Sequence, residues 1–125
     1  MDEQSKKWES LTKKTQDMQK LNDQIYDHFV NRGEEPAPFF DTIKPFADQV
    51  KMVSDHWRNE ALQFVDEVKP AYLHREQVEN THENINAISV TCFQPKTKKK
   101  RFIETVKANQ LIFDQFLKDI TKMTT

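Results

Sequence analysis

The sequence predicts an all-α fold, an antiparallel up-down-up-down four-helix bundle forming one domain over residues 1–125, and three observations carry that expectation. The first is an apolar stripe: Phe46, Val50, Val53, Trp57, Ala61, Phe64 and Val68. Its steps of three and four residues keep every member on one side of a helix of about six turns. The second is a scarcity of turn and strand signals. There is one glycine, Gly33, in 125 residues, which argues against hairpin-rich folds and against Gly-rich phosphate loops. The third is that the rest of the chain offers three more stripes of the same period. A helix with one apolar face must bury it against another element, and short connections place successive helices antiparallel.

The first helix is expected over about residues 5–30, with Trp8, Leu11, Thr15, Met18, Leu21 or Asn22, Ile25 and Phe29 facing inward. Ser5 suits its N-cap, and Gly33, after Asn31 and Arg32, suits a left-handed residue beyond its last turn. Pro36 and Pro38 disfavour regular helix next, and residues 39–43 read as a short helical turn. The second helix should start near Lys44 to Phe46, where Pro45 fits a first turn, and stop before Pro70. The third, over about 74–93, would bury Val78, Thr81, Ile85, Ile88 and Cys92, with His82 and Ser89 at the margin. Pro95 follows it, and Thr97 is a fair N-cap for a fourth helix over about 98–122. That helix offers Phe102, Val106, Asn109, Phe113, Phe116 and Ile120, widened by Ile103, Ile112 and Leu117. The core should centre on Trp57, Phe64, Ile85, Ile88, Phe113 and Phe116. Asn109, a polar residue on an apolar stripe, must find amide partners if buried.

Composition narrows the class. Hydrophobic residues make up 36% and charged residues 31% of the chain, as suits a small helical domain with a solvated surface. The single Cys92 rules out a disulfide within the chain and fits a reducing compartment. No apolar run approaches the ~20 residues that span a bilayer. Met1-Asp2-Glu3-Gln4 lacks the blocks of a signal peptide. A cytoplasmic protein without a cofactor is the expectation.

Four features bear on chemistry. Glu79 and His82 form a Glu-x-x-His pair, half of a di-metal carboxylate motif; no other histidine has a Glu three positions before it. Arg75 and His82 loosely match the Arg-x(4–6)-His spacing of HEPN-type ribonucleases, where such a pair acts around a scissile phosphate. Cys92 lies on an apolar stripe, where a thiol is usually a small hydrophobe. The fourth feature breaks a local rule. The net charge of −1 hides a segment, residues 96–122, with eight Lys/Arg against three acids. Five of the eight are Lys96, Lys98, Lys99, Lys100 and Arg101, at the start of a helix, where Asp or Glu is favoured. Such a run attracts an anionic partner, whether an acidic protein surface, nucleic acid or lipid headgroups. It is alternatively neutralised by Glu34, Glu35 and Asp41, expected at the same end of the bundle. Phe39 and Phe40 sit at that end too. One ring should plug the core and the other be left for a partner, or both should pack within the loop.

These blocks also resemble a known family. Phe39-Phe40-Asp41-Thr42-Ile43-Lys44-Pro45, followed by Trp57 and Ala61-Leu62, resembles the signature of the YppE-like family of small bacterial proteins. The segment from Lys69-Pro70-Ala71-Tyr72-Leu73-His74 through Arg75-Glu76-Gln77-Val78 is similar to that family's interhelix turn, and Lys99-Lys100-Arg101-Phe102 to its last-helix opening. The resemblance covers about residues 39–113. It implies an up-and-down four-helix bundle and brings no activity or catalytic residue. The reading is therefore of a non-enzymatic module that engages an unknown protein partner through Phe39, Phe40, Lys44, Lys98, Lys99, Lys100 and Arg101. Nucleic-acid binding through the basic run is the alternative, and a HEPN-like ribonuclease a third.

Overall fold

A computed structural model describes residues 6–124. It contains helices α1 (Glu9–Val30), α2 (Lys44–Val68), α3 (Arg75–Thr91) and α4 (Lys99–Thr124), with a π-helical turn over Phe39–Ile43 leading into α2. Helices adjacent in sequence pack side by side, and α4 closes the ring against α1. Cross-helix contacts fix the directions. Rising positions on α1 meet falling positions on α2, from Ser10 with Glu60, through Thr15 with Trp57, to His28 with Phe46. The same inversion holds between α1 and α4, from Gln19 with Asp114 to Phe29 with Phe102. Between α2 and α3 it runs from Asp66 with Arg75 to Ser54 with Asn86. The bundle is antiparallel and up-down-up-down.

Trp57 stands at the centre of the core. Its ring meets Phe113 and Phe116 of α4 edge-on at 5.4 and 5.5 Å. Its indole N–H donates to Thr15 Oγ1 at 3.1 Å, and that hydroxyl donates to the Leu11 carbonyl. Phe64, Ile85, Ile88, Phe113 and Phe116 are buried with it, as expected. On α2, however, Phe46, Val53 and Val68 are only partly buried, while Ser54, Leu62 and Val65 are covered. The buried face is turned slightly from the predicted stripe because α3 lies close along that side. Ser89, expected at the margin, is also buried.

The helix ends depart from expectation for identifiable reasons. Ser5 lies outside the described residues; α1 starts at Glu9, after a break in the helix at Trp8. Gly33 does not take a left-handed conformation. Arg32 does its work: the guanidinium donates to the Phe29 carbonyl at 2.7 Å and lies 3.8 Å from that ring's centre. The left-handed residue is Lys69, φ 53°, at the C-cap of α2; the following Pro70 disfavours a right-handed helical residue there. His74 is extended and caps α3, its backbone N–H donating to Gln77 Oε1 at 2.6 Å. That helix ends at Thr91 rather than Phe93. Phe93 and Gln94 turn their N–H groups to the carbonyls of Val90 and Thr91, the tighter pattern of a closing turn. Thr97 does not cap α4. Its hydroxyl donates back to the Thr91 carbonyl at 2.7 Å, and the first backbone bond of α4 is accepted by Lys98.

Candidate interaction surfaces

The loop after α1 and the loop before α4 lie at one end of the bundle. Phe93 joins them, with its ring 4.7 Å from that of His28 and 5.8 Å from that of Phe46. Phe39 and Phe40 occupy the π-helical turn, where the N–H groups of Ile43 and Lys44 reach five residues back to the Pro38 and Phe39 carbonyls. The wider turn lets Ile43 enter the core. Neither phenylalanine plugs it, contrary to the expectation for one of them. Phe39 is 53% and Phe40 76% exposed, and the rings stand edge-to-face 5.1 Å apart. π-Helical turns are rare and are found frequently at functional positions.

Lys44 is paired on its own helix with Asp48 at 2.7 Å. Lys98, Lys99, Lys100 and Arg101 are exposed, and none makes an ion pair with a described residue. Glu34, Glu35 and Asp41 therefore leave the run uncompensated at ion-pair range. The first turn of α4 holds no acid, so the helix dipole adds to the positive field.

Lys98 and Arg101 open onto a groove between α3 and α4. A cavity of about 490 Å³ is lined there by Ile88, Thr91, Phe102 and Thr105. It shares Asn84 with a second, of about 520 Å³, that continues toward Tyr72 and Leu111. Tyr72 is 69% and Leu111 70% exposed. Asn109 lines the second cavity from beneath. Its amide nitrogen donates to Asn22 Oδ1 at 3.2 Å, while Asn22 donates to the Val106 carbonyl. The buried Oδ1 of Asn109 has no partner among the described residues. Sequence reasoning missed this groove. One signal was present: Leu111 is an apolar residue out of phase with the α4 stripe.

The residues weighed for catalysis are engaged elsewhere. Arg75 pairs with Asp66 at 2.5 Å, Glu79 with Arg58, and His82 Nε2 meets Asp55 Oδ1 at 2.7 Å. The His82 ring, followed by Lys51, holds the Asp55 carboxyl below its ordinary value. The Arg58 guanidinium does the same for Glu79. Burial pushes the Cys92 thiol up to about 12, which suppresses the thiolate a nucleophile requires. Among the described residues, no three His, Cys, Asp or Glu side chains gather as a metal site. No described helix is long and apolar enough to cross a membrane.

Comparison with known proteins places this architecture. A relative from Bacillus subtilis (strain 168), "Uncharacterized protein YppE", is 31% identical over 64 residues. The aligned stretch spans 51% of this chain and about half, 52%, of that relative. The crystal structure of a Listeria innocua protein of unknown function superposes with a TM-score of 0.89 at 19% identity, covering 94% of this chain and 96% of that one. The crystal structure of YppE from Bacillus subtilis gives 0.84 at 22% identity, covering 90% and 94%. At those identities the likeness establishes the fold. Residues 15–120 match the family model described as "Bacterial domain of unknown function (DUF1798)", and with that match over most of its length the chain belongs to the YppE/DUF1798 family of small bacterial proteins.

Proposed function

We propose that the protein is a non-catalytic interaction module that holds a protein partner at the loop end of the bundle. The observation that carries this reading is the exposed Phe39–Phe40 pair on a turn fixed to α2 by backbone hydrogen bonds. Rigid aromatic side chains that lose little freedom on binding are typical anchors of protein interfaces. The uncompensated cations at 98–101 supply long-range attraction toward an acidic partner surface, with Lys44 a secondary contact already tied to Asp48. A non-catalytic role accords with Arg75 and Glu79 being engaged in ion pairs, with His82 hydrogen-bonded to Asp55, and with a protonated Cys92. The reading carries with it a cytoplasmic location, where an unpaired thiol is at home.

A capture experiment with full-length protein and extract of the native host tests it. Wild type should retain a protein partner that the Phe39→Ser/Phe40→Ser variant loses, with the helical circular dichroism signal unchanged. Equal recovery by a natively helical variant overturns the reading. The free cations also favour nucleic-acid binding as a second reading. That reading requires retention on a polyanion column to fall steeply with salt and to vanish on charge reversal at Lys99 and Lys100.

A further inference from the structure

We propose that the groove between α3 and α4 seats an amphipathic helix of the partner, with acidic residues at the end lying over Lys98 and Arg101. This rests on the interaction reading above and shares its Lys98 and Arg101, but the apolar part of the groove lies apart from the Phe39–Phe40 turn, so different variants report the failure of each.

The groove follows α3 from Gln77 to Thr91 and α4 from Arg101 to Gln115. At 1.5 Å per residue that is about 21 Å, or four helical turns. A trough between two antiparallel helices receives a third helix by its i, i+3, i+4 and i+7 side chains. The chemistry of the trough fits. Ile88, Phe102 and Ile112 line it, and the exposed Leu111 and Tyr72 stand at its far half. Large apolar groups left in water beside a concave surface mark binding sites. Nothing internal closes the seam: over this stretch no side-chain hydrogen bond or ion pair among the described residues crosses from α3 to α4.

Charge selects the occupant. No Asp or Glu lines either cavity, although the chain holds 20 of them. The cations lie at one end only. A nucleic-acid backbone following the groove would leave its phosphates over neutral Asn, Thr and Gln side chains in the far half. A helix with an apolar face and acids at one terminus matches both halves.

The test uses isotope-labelled full-length protein titrated with designed helical peptides of about 18 residues. One carries an apolar stripe and Glu at one end; a second has the same composition scrambled; a third has Lys in place of Glu. The expected result is amide shifts at Asn84, Ala108 and Leu111, with the acidic amphipathic peptide bound about tenfold more tightly than either control. Leu111→Glu should weaken it about tenfold while the remaining spectrum stays native. Lys98→Glu/Arg101→Glu should reverse the preference between the acidic and basic peptides. Equal binding of all three peptides overturns the proposal. So do shifts confined to other faces, the absence of shifts at about 1 mM peptide, or a groove filled by a second copy of this chain. Groove binding that survives Phe39→Ser/Phe40→Ser, while partner capture is also unchanged, would leave the groove standing and remove the aromatic turn from the interface.

Discussion

Helix α3 packs against α2 on one side and α4 on the other, and the two seams are finished differently. Toward α2, four polar pairs run its length: Arg75 with Asp66, Glu79 with Arg58, His82 with Asp55, and Asn86 with Ser54. Toward α4 the corresponding positions are Gln77, Asn80, Thr81, Asn84, Ile88 and Thr91, and they face a groove. The ion pairs of α3 among the described residues thus all go to one neighbour. The other seam is held from below by core side chains and is open above. A surface satisfied by its own pairs gains little from a new partner, whereas an acid-free trough with free cations at its end gains both area and charge neutralisation.

The largest expected effect concerns what the seams share. Trp57→Ala removes a central ring of the core to which all four helices contribute and should cost about 3–5 kcal/mol in urea unfolding. A loss well below that would mean the two seams do not rest on one floor. The next bears on the turn that joins α2 to α3. Lys69 holds a left-handed conformation that a side chain tolerates poorly, so Lys69→Gly should raise stability by about 1 kcal/mol. A destabilised variant would show that the lysine side chain contributes to closing that seam.

Acid should weaken the paired seam selectively. Asp55 and Glu79 have carboxyls held below their ordinary values in the folded protein. Their contribution is complete above the unfolded carboxylate range, about pH 4, and is lost as pH falls through the lower folded values. The pairs are partly exposed and screened, so the effect is smaller than that of Lys69. Native-state hydrogen exchange below pH 4 should speed first along the α2–α3 face, less so in Glu79→Gln because that variant has already lost its share. Exchange that speeds equally at both seams would dissolve the contrast. Smallest of all, Leu111→Ser should change stability by no more than about 0.5 kcal/mol. A larger loss would make Leu111 a packing residue instead of a free surface.

Much of the bundle was legible because burial on a helix is a matter of phase. The stripes through Leu11, Met18 and Ile25, and through Phe102, Phe113 and Phe116, are buried as read. Phase alone did not distinguish Leu21 from Asn22, and both are buried, since Asn22 carries its own hydrogen bonds to α4. The ends were less legible because several chemistries satisfy a terminal carbonyl. Arg32 took the place foreseen for Gly33, and Thr97 turned back to α3. Of the site, the exposure of an adjacent phenylalanine pair was partly legible, since neighbouring residues on a helix point apart. The Arg75 and His82 spacing was real, but the carboxylates they contact lie on α2, and periodicity within one helix carries no information about the residues facing it. The groove depends on the separation between α3 and α4, which no single-helix pattern encodes.

Site-specific photocrosslinking in cells of the native host tests the contrast between the seams most directly. A photoreactive residue is placed at Leu111, in the open seam, or at Met52, similarly exposed at 58% on the outer face of α2. A protein adduct is expected from position 111 but not from 52, with the captured segment an amphipathic helix bearing acids at one end. No adduct at 111, or equal adducts from both positions, would contradict it.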